Sequence, residues 1–143
     1  MATYCGYTRT NYFSVKDEAA FLKLVGEIVS DGEAASAFSQ VIEGEKMWAF
    51  GMFGSIRGLR SLEADDCDDD YEPDAVYDKL RGFIVDGDAV IITEIGYENL
   101  RYLSAYTTII TKDAIECCDL REHSIATARR MLGRNDFSPR MEY

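Results

Sequence analysis

The sequence predicts an α+β fold: an antiparallel sheet of about five to six strands, with two to three helices packed mainly on one face. Three observations carry that expectation. Residues 88–111, DAVIITEIGYENLRYLSAYTTIIT, hold two runs dense in β-branched side chains, which suit a pleated surface. Two other stretches space their apolar residues at helical intervals. The segments also follow one another as β-α-β-β-α-β-β-(β)-α, strand pairs interrupted by single helices, which suits a sheet with helices layered on it.

In chain order, residues 4–15 are aromatic and threonine-rich and read as a strand. Gly6 inside it marks a bulge or a close backbone approach. Asp17 is placed as an N-cap. Phe21, Leu24, Val25, Ile28 and Val29 then form one apolar stripe, predicting a helix over 18–30 that stops at Asp31-Gly32. Residues 38–42 and 47–53 read as strands around the turn Glu43-Gly44-Glu45-Lys46. The second is apolar on both faces and belongs inside the sheet, with Gly51 and Gly54 leaving room for a neighbouring chain or a bend. Residues 55–62 fit no single element. Asp74 can cap a second helix carrying Val76, Leu80, Phe83 and Ile84 inward. The central hairpin follows, its bend expected at Gly96-Tyr97-Glu98-Asn99 and its strand ends apolar enough to be partly covered on both faces. A short strand over 114–120 puts Cys117 and Cys118 on opposite faces. Ser124 is the expected cap of a last helix over 125–132, and Gly133 its C′ residue.

The whole chain, residues 1–143, is expected to be one domain, since its length suffices for a single core. Its 47% apolar content excludes wholesale disorder. Fifteen basic residues against 26 acidic ones leave a net charge of −11. That disfavours nucleic acid as a direct partner, because phosphate binding runs on basic side chains and released counterions. It favours a basic partner, a cation, or plain solubility. Cys5, Cys67, Cys117 and Cys118 make no CxxC pattern, so no zinc framework is visible. Neither a secretory signal nor an apolar run of spanning length is present, and the expected location is cytoplasmic, without a membrane partner.

Residues 63–74, EADDCDDDYEPD, carry eight acids and no base. Like charges this dense resist compaction, so an exposed loop is expected. As a calcium loop the run fails at two positions, where Tyr71 and Tyr77 stand in place of the required glycine and glutamate. As a metal-dependent nuclease centre it lacks a supporting Lys or His at recognisable spacing. Twelve extended residues span roughly 40 Å. Eight charges over that length fall about 5 Å apart, against about 3.4 Å along one DNA strand. The segment can therefore imitate a nucleic-acid backbone in a basic groove, or serve only as a solubilising surface. The candidate partner-binding residues are Asp65, Asp66, Asp68, Asp69, Asp70 and Glu72. No catalytic residue, metal ligand or cofactor is assigned. His123, the single histidine, is expected just ahead of the last helix and has no neighbouring nucleophile in the sequence. The stretch Thr8-Arg9-Thr10-Asn11-Tyr12 is read either as a recognition surface or as internal polar pairing, for instance of Arg9 or Arg101 with Glu94.

Thr8-Arg9-Thr10-Asn11-Tyr12-Phe13, Glu98-Asn99-Leu100-Arg101-Tyr102, Ala128-Arg129-Arg130-Met131-Leu132-Gly133 and the closing Glu142-Tyr143 resemble small acidic proteins of bacterial plasmids, conjugative elements and phages. The resemblance spans nearly the whole chain and carries over no functional residue. It implies accessory work against host defence, of the anti-CRISPR or antirestriction type. The expected function is thus inhibition of a nucleic-acid-handling defence complex, a CRISPR effector or a restriction enzyme, by an acidic DNA-mimic surface. The alternatives are a small metal-dependent nuclease and a non-catalytic adaptor or dimerisation module using exposed sheet aromatics such as Tyr4, Tyr7 or Tyr102. Monomer and homodimer both stay open.

Overall fold

A computed structural model describes residues 4–31, 33–60, 72–98 and 102–139. The elements in order are β1 (Tyr4–Thr10), α1 (Glu18–Glu27), β2 (Ile28–Ser30), β3 (Ser36–Ile42), β4 (Glu45–Phe53), β5 (Ile56–Leu59), α2 (Pro73–Arg81), β6 (Val90–Glu98), β7 (Tyr102–Ile110), β8 (Ile115–Asp119) and α3 (Leu120–Leu132). Six strands form one antiparallel sheet in the order β3-β4-β1-β6-β7-β8, and β2 with β5 forms a separate antiparallel ribbon. The architecture is α+β, as the element order predicts.

Strand alternation divides the main sheet into two faces. One carries Thr8 and Thr10 of β1, Phe50 and Met52 of β4, Ile92 and Glu94 of β6, and Thr108 and Ile110 of β7, all buried. Helices α1 and α2 and the β2–β5 ribbon close this face, contributing Phe21, Leu24, Val25, Val76, Tyr77, Leu80, Ile56 and Leu59 to one core. Phe21 sits at its centre, with ring centroids 5.5 Å from Phe13, 6.0 Å from Trp48 and 6.4 Å from Phe50.

Several boundaries differ from the sequence expectation, each for a local reason. Helix α1 ends at Glu27, because Ile28 turns to extended backbone (φ −68°, ψ 125°) and pairs with Leu59 of β5. β-branched Ile28 and Val29 suit that strand better than a last helical turn. The residues that fitted no element, 56–59, are its partner. The β6–β7 ladder runs through Gly96, Tyr97 and Glu98, the last paired with Tyr102, so the bend comes later than expected. Helix α3 starts at Leu120, since Asp119 already accepts from the Glu122 amide (3.1 Å) and pre-empts Ser124 as the cap. His123 therefore lies inside the helix. Glu72, not Asp74, occupies the N-cap position of α2, with Pro73 behind it in the first turn. Gly133 closes α3 with φ 66°, as expected.

The Thr8–Tyr12 stretch is internal joinery. Thr8 donates to the Gly54 carbonyl (2.7 Å), and the Thr10 hydroxyl accepts from the Phe50 amide (3.1 Å). The Asn11 side chain extends the ladder to β6, accepting from the Ile91 amide (2.8 Å) and donating to the Ala89 carbonyl (3.0 Å). β1 and β4 approach so closely at Gly51 that a Cβ there would lie 3.0 Å from the Thr8 carbonyl oxygen.

Candidate functional site

The opposite face of the same sheet is built with the same alternation but is not closed by any described element over its central strands. Reading across the strands, Phe53 of β4 pairs with Tyr7 of β1, Tyr7 with Ile95 of β6, and Ile95 with Ala105 of β7. One step along, Cys5 pairs with Tyr97, and Tyr97 with Leu103. Tyr7 is 49% exposed, Phe53 51%, Ile95 48%, Tyr97 47% and Leu103 67%. Directly opposed side chains on one face lie about 5 Å apart, so these residues form one continuous apolar surface. The Tyr7 and Phe53 rings touch, with centroids 5.1 Å apart. A solvated face of an antiparallel sheet ordinarily carries polar side chains. Here β6 presents Ile91, Ile95 and Tyr97 outward, with only Thr93 polar between them.

Arg9 is the one charged side chain on this face of β1 and β6. It does not pair with Glu94, which points into the core from the other face; its guanidinium lies 4.6 Å from the Phe38 ring centroid and 5.9 Å from that of Tyr12. The polar pairing of Arg9 with Glu94 raised by the sequence is therefore not made. Arg101 lies outside the described residues.

At the β8 end, helix α3 leans over the margin of the open face without sealing it. A cleft of about 590 Å³ runs between Leu103 and Ala105 of β7 and Leu120, Ile125 and Ala128 of α3, with Phe137 at one side. A second, of about 290 Å³, is lined by Thr93, Ala105, Thr107, Cys118, Leu120 and His123. The fold thus brings Cys118 and His123 to one cleft, a proximity that no spacing in the sequence announces, but no hydrogen bond joins them among the described residues. None of the thirteen residues of α3 is buried, and Leu120, Met131 and Leu132 are all exposed.

On the covered side, Glu94 is the one buried carboxyl among the described residues, 2% exposed. One oxygen accepts from the Ile56 amide (3.2 Å), tying β5 to the sheet, and Oε2 has no partner among the described residues. Burial raises its pKa above the usual carboxylate range. Burial likewise pushes the neighbouring Tyr77 hydroxyl up to about 12.

Of the six candidate acids, Asp65, Asp66, Asp68, Asp69 and Asp70 lie outside the described residues, and the expected exposed loop lies there with them. Glu72 is described: it is exposed at the start of α2 and makes no side-chain cap bond. No group of three or more His, Cys, Asp or Glu placed to hold a metal occurs among the described residues. No described helix is long and apolar enough to cross a membrane. No family model matches the chain, and neither the curated proteins nor the solved structures give a match.

Proposed function

We propose that this chain is a non-catalytic protein-binding module that docks through the open face of its sheet. The observation that carries the reading is the continuous apolar surface of Phe53, Tyr7, Ile95, Tyr97 and Leu103, each about half exposed or more. Apolar patches of this kind, bordered by polar side chains, are the physical signature of an interaction site. Its aromatic content is typical of residues that dominate binding energy. The test is affinity isolation of tagged protein from its source cells, wild type beside Ile95→Lys. The wild type is expected to carry a stoichiometric partner, either a further copy or another protein, and the variant to lose it while keeping its melting temperature. Wild-type protein that comes out alone and monomeric overturns the reading.

A second reading is supported by the charge. With −11 overall, and eight acids between residues 63 and 74, the module suits a basic partner such as a nucleic-acid-handling defence complex. In that reading Asp65, Asp66, Asp68, Asp69, Asp70 and Glu72 stand in for phosphates. Their replacement by Asn or Gln is expected to weaken binding and flatten its salt dependence. Unchanged affinity and an unchanged salt slope remove it.

A further inference from the structure

We infer that the occupant of the open face is a second copy of this chain, placed by a two-fold axis parallel to the strands. The inference rests on the reading of that face as an interface and names what fills it. Three features of the molecule point to self-association.

The first is that the described residues leave two apolar surfaces uncovered, and the two border each other. A sheet face without a covering layer and a helix without a buried residue are each incomplete in an α+β fold. A helix of thirteen residues gains little stability on its own and ordinarily relies on a packed apolar side. Pairing two copies covers both surfaces at once.

The second is charge. Residues 120–134 hold Arg121, Arg129, Arg130 and Arg134 against Glu122 alone, a net +3, while the rest of the chain carries −14. The most basic of the described elements therefore stands at the β8 edge of the open face. At the opposite edge, beside Ser36 and level with Arg9 along the strands, stands the exposed Glu33. An axis parallel to the strands stacks β1 of one copy on β6 of the other and carries the β8 edge of each over the β3 edge of its mate. The basic helix then meets Glu33 of its mate twice, in an isologous contact that closes on itself. Arg9, its guanidinium 4.6 Å from the Phe38 ring centroid, faces Thr93 of the other copy across that axis.

The third is area. The half-exposed side chains of the open face offer roughly 500–600 Å² of apolar surface per copy, and with the exposed end of α3 approach the roughly 800 Å² per partner of a standard interface. Two antiparallel sheets stacked about 10 Å apart are a stable layer arrangement.

The experiment is sedimentation of the full chain at several concentrations, together with three variants. Wild type is expected to be a dimer that dissociates on dilution. Ile95→Lys is expected to be a monomer with an unchanged far-ultraviolet spectrum. Arg129→Glu with Arg130→Glu is expected to weaken the dimer at least tenfold, and adding Glu33→Lys to that variant to recover part of the loss. A wild type monomeric at every concentration overturns the inference, and so does a dimer that Ile95→Lys leaves intact. A dimer that survives on hydrophobic contact but shows no charge rescue overturns the proposed axis. The broader reading is judged separately: if wild type is monomeric yet holds another protein that Ile95→Lys releases, the interface stands and only its occupant was misassigned.

Discussion

The two faces of the six-stranded sheet come from the same strands by the same alternation, yet the described chain closes only one of them. On β6 the inward row is Val90, Ile92 and Glu94, and the outward row is Ile91, Thr93, Ile95 and Tyr97. Judged by polarity alone, the outward row is the more apolar of the two near its end. The buried row contains a carboxyl, and the exposed row contains none. What separates the faces is therefore not composition but cover. α1, α2 and the β2–β5 ribbon lie on one side, and on the other α3 packs mainly along β7 and β8. Among the described residues the sheet carries apolar side chains on both faces and a cover on one, which is the observation the proposed interface rests on.

The sharpest way to break this comparison is to put the same charge on each face of the same strand. Ile92→Lys places an ammonium among apolar core side chains, with the buried Glu94 two residues along the same face, and burying a charge is among the most damaging changes known. A loss of about 4–5 kcal/mol or more, read by urea denaturation, is expected. Ile95→Lys, three residues along and facing out, is expected to stay within about 0.5 kcal/mol of wild type when measured at the lowest usable concentration. If the two variants cost the same, the faces do not differ in cover and the comparison fails.

A smaller effect tests the seam that holds the sheet's two halves together. The β1–β4 ladder closes on Gly51, where a methyl group would press on the Thr8 carbonyl oxygen at 3.0 Å. Because the obstacle is backbone rather than a mobile side-chain end, Gly51→Ala is expected to cost about 1–3 kcal/mol, the usual range for forcing extra volume into a packed site. Phe53 and Tyr7 pair two residues along from Gly51, on the same ladder, so the variant should also loosen association. Chemical denaturation and sedimentation on the same sample check both outcomes. A variant as stable as wild type would mean that the strands separate freely there.

Much of the covered face was legible in the residues. The apolar stripe Phe21, Leu24 and Val25 gave α1 its inward side, and Val76 and Leu80 did the same for α2, because a helix needs only its own spacing to declare a face. The β-branched runs of 88–111 declared a hairpin for the same local reason. The strand ends were expected to be partly covered on both faces, and it is the missing second cover that makes the candidate site. Which side of a strand the helices choose depends on where distant segments land, and no local spacing encodes that. Ile28 and Val29 show the same limit. They continue the helical stripe of 18–30 by spacing, but pairing with β5, thirty residues away, turns them into a strand. The acidic run drew attention because charge is visible in a sequence; Ile95 and Tyr97 did not, because an exposed apolar row reads like a buried one until the cover is placed.

The mildest test lies on the covered face and uses pH. Glu94 keeps its proton to higher pH in the folded chain than in the unfolded one, because burial disfavours the carboxylate. Below the ordinary value of 4.5 both forms are protonated and the group contributes nothing to the pH dependence. As pH rises past that value, the unfolded chain releases the proton first, so stability falls until the folded carboxyl also ionises and the loss levels off. Glu94→Gln keeps an acceptor for the Ile56 amide and removes the titration. Its melting temperature is expected to exceed that of wild type at pH 7 and to converge on it below pH 4.5. The same variant should leave dimerisation untouched, since Glu94 faces away from the open surface. A constant difference between the two proteins across this pH range would show that the carboxyl ionises no differently folded than unfolded. A change in association would show that the two faces are coupled through β6, instead of serving separately as core and interface.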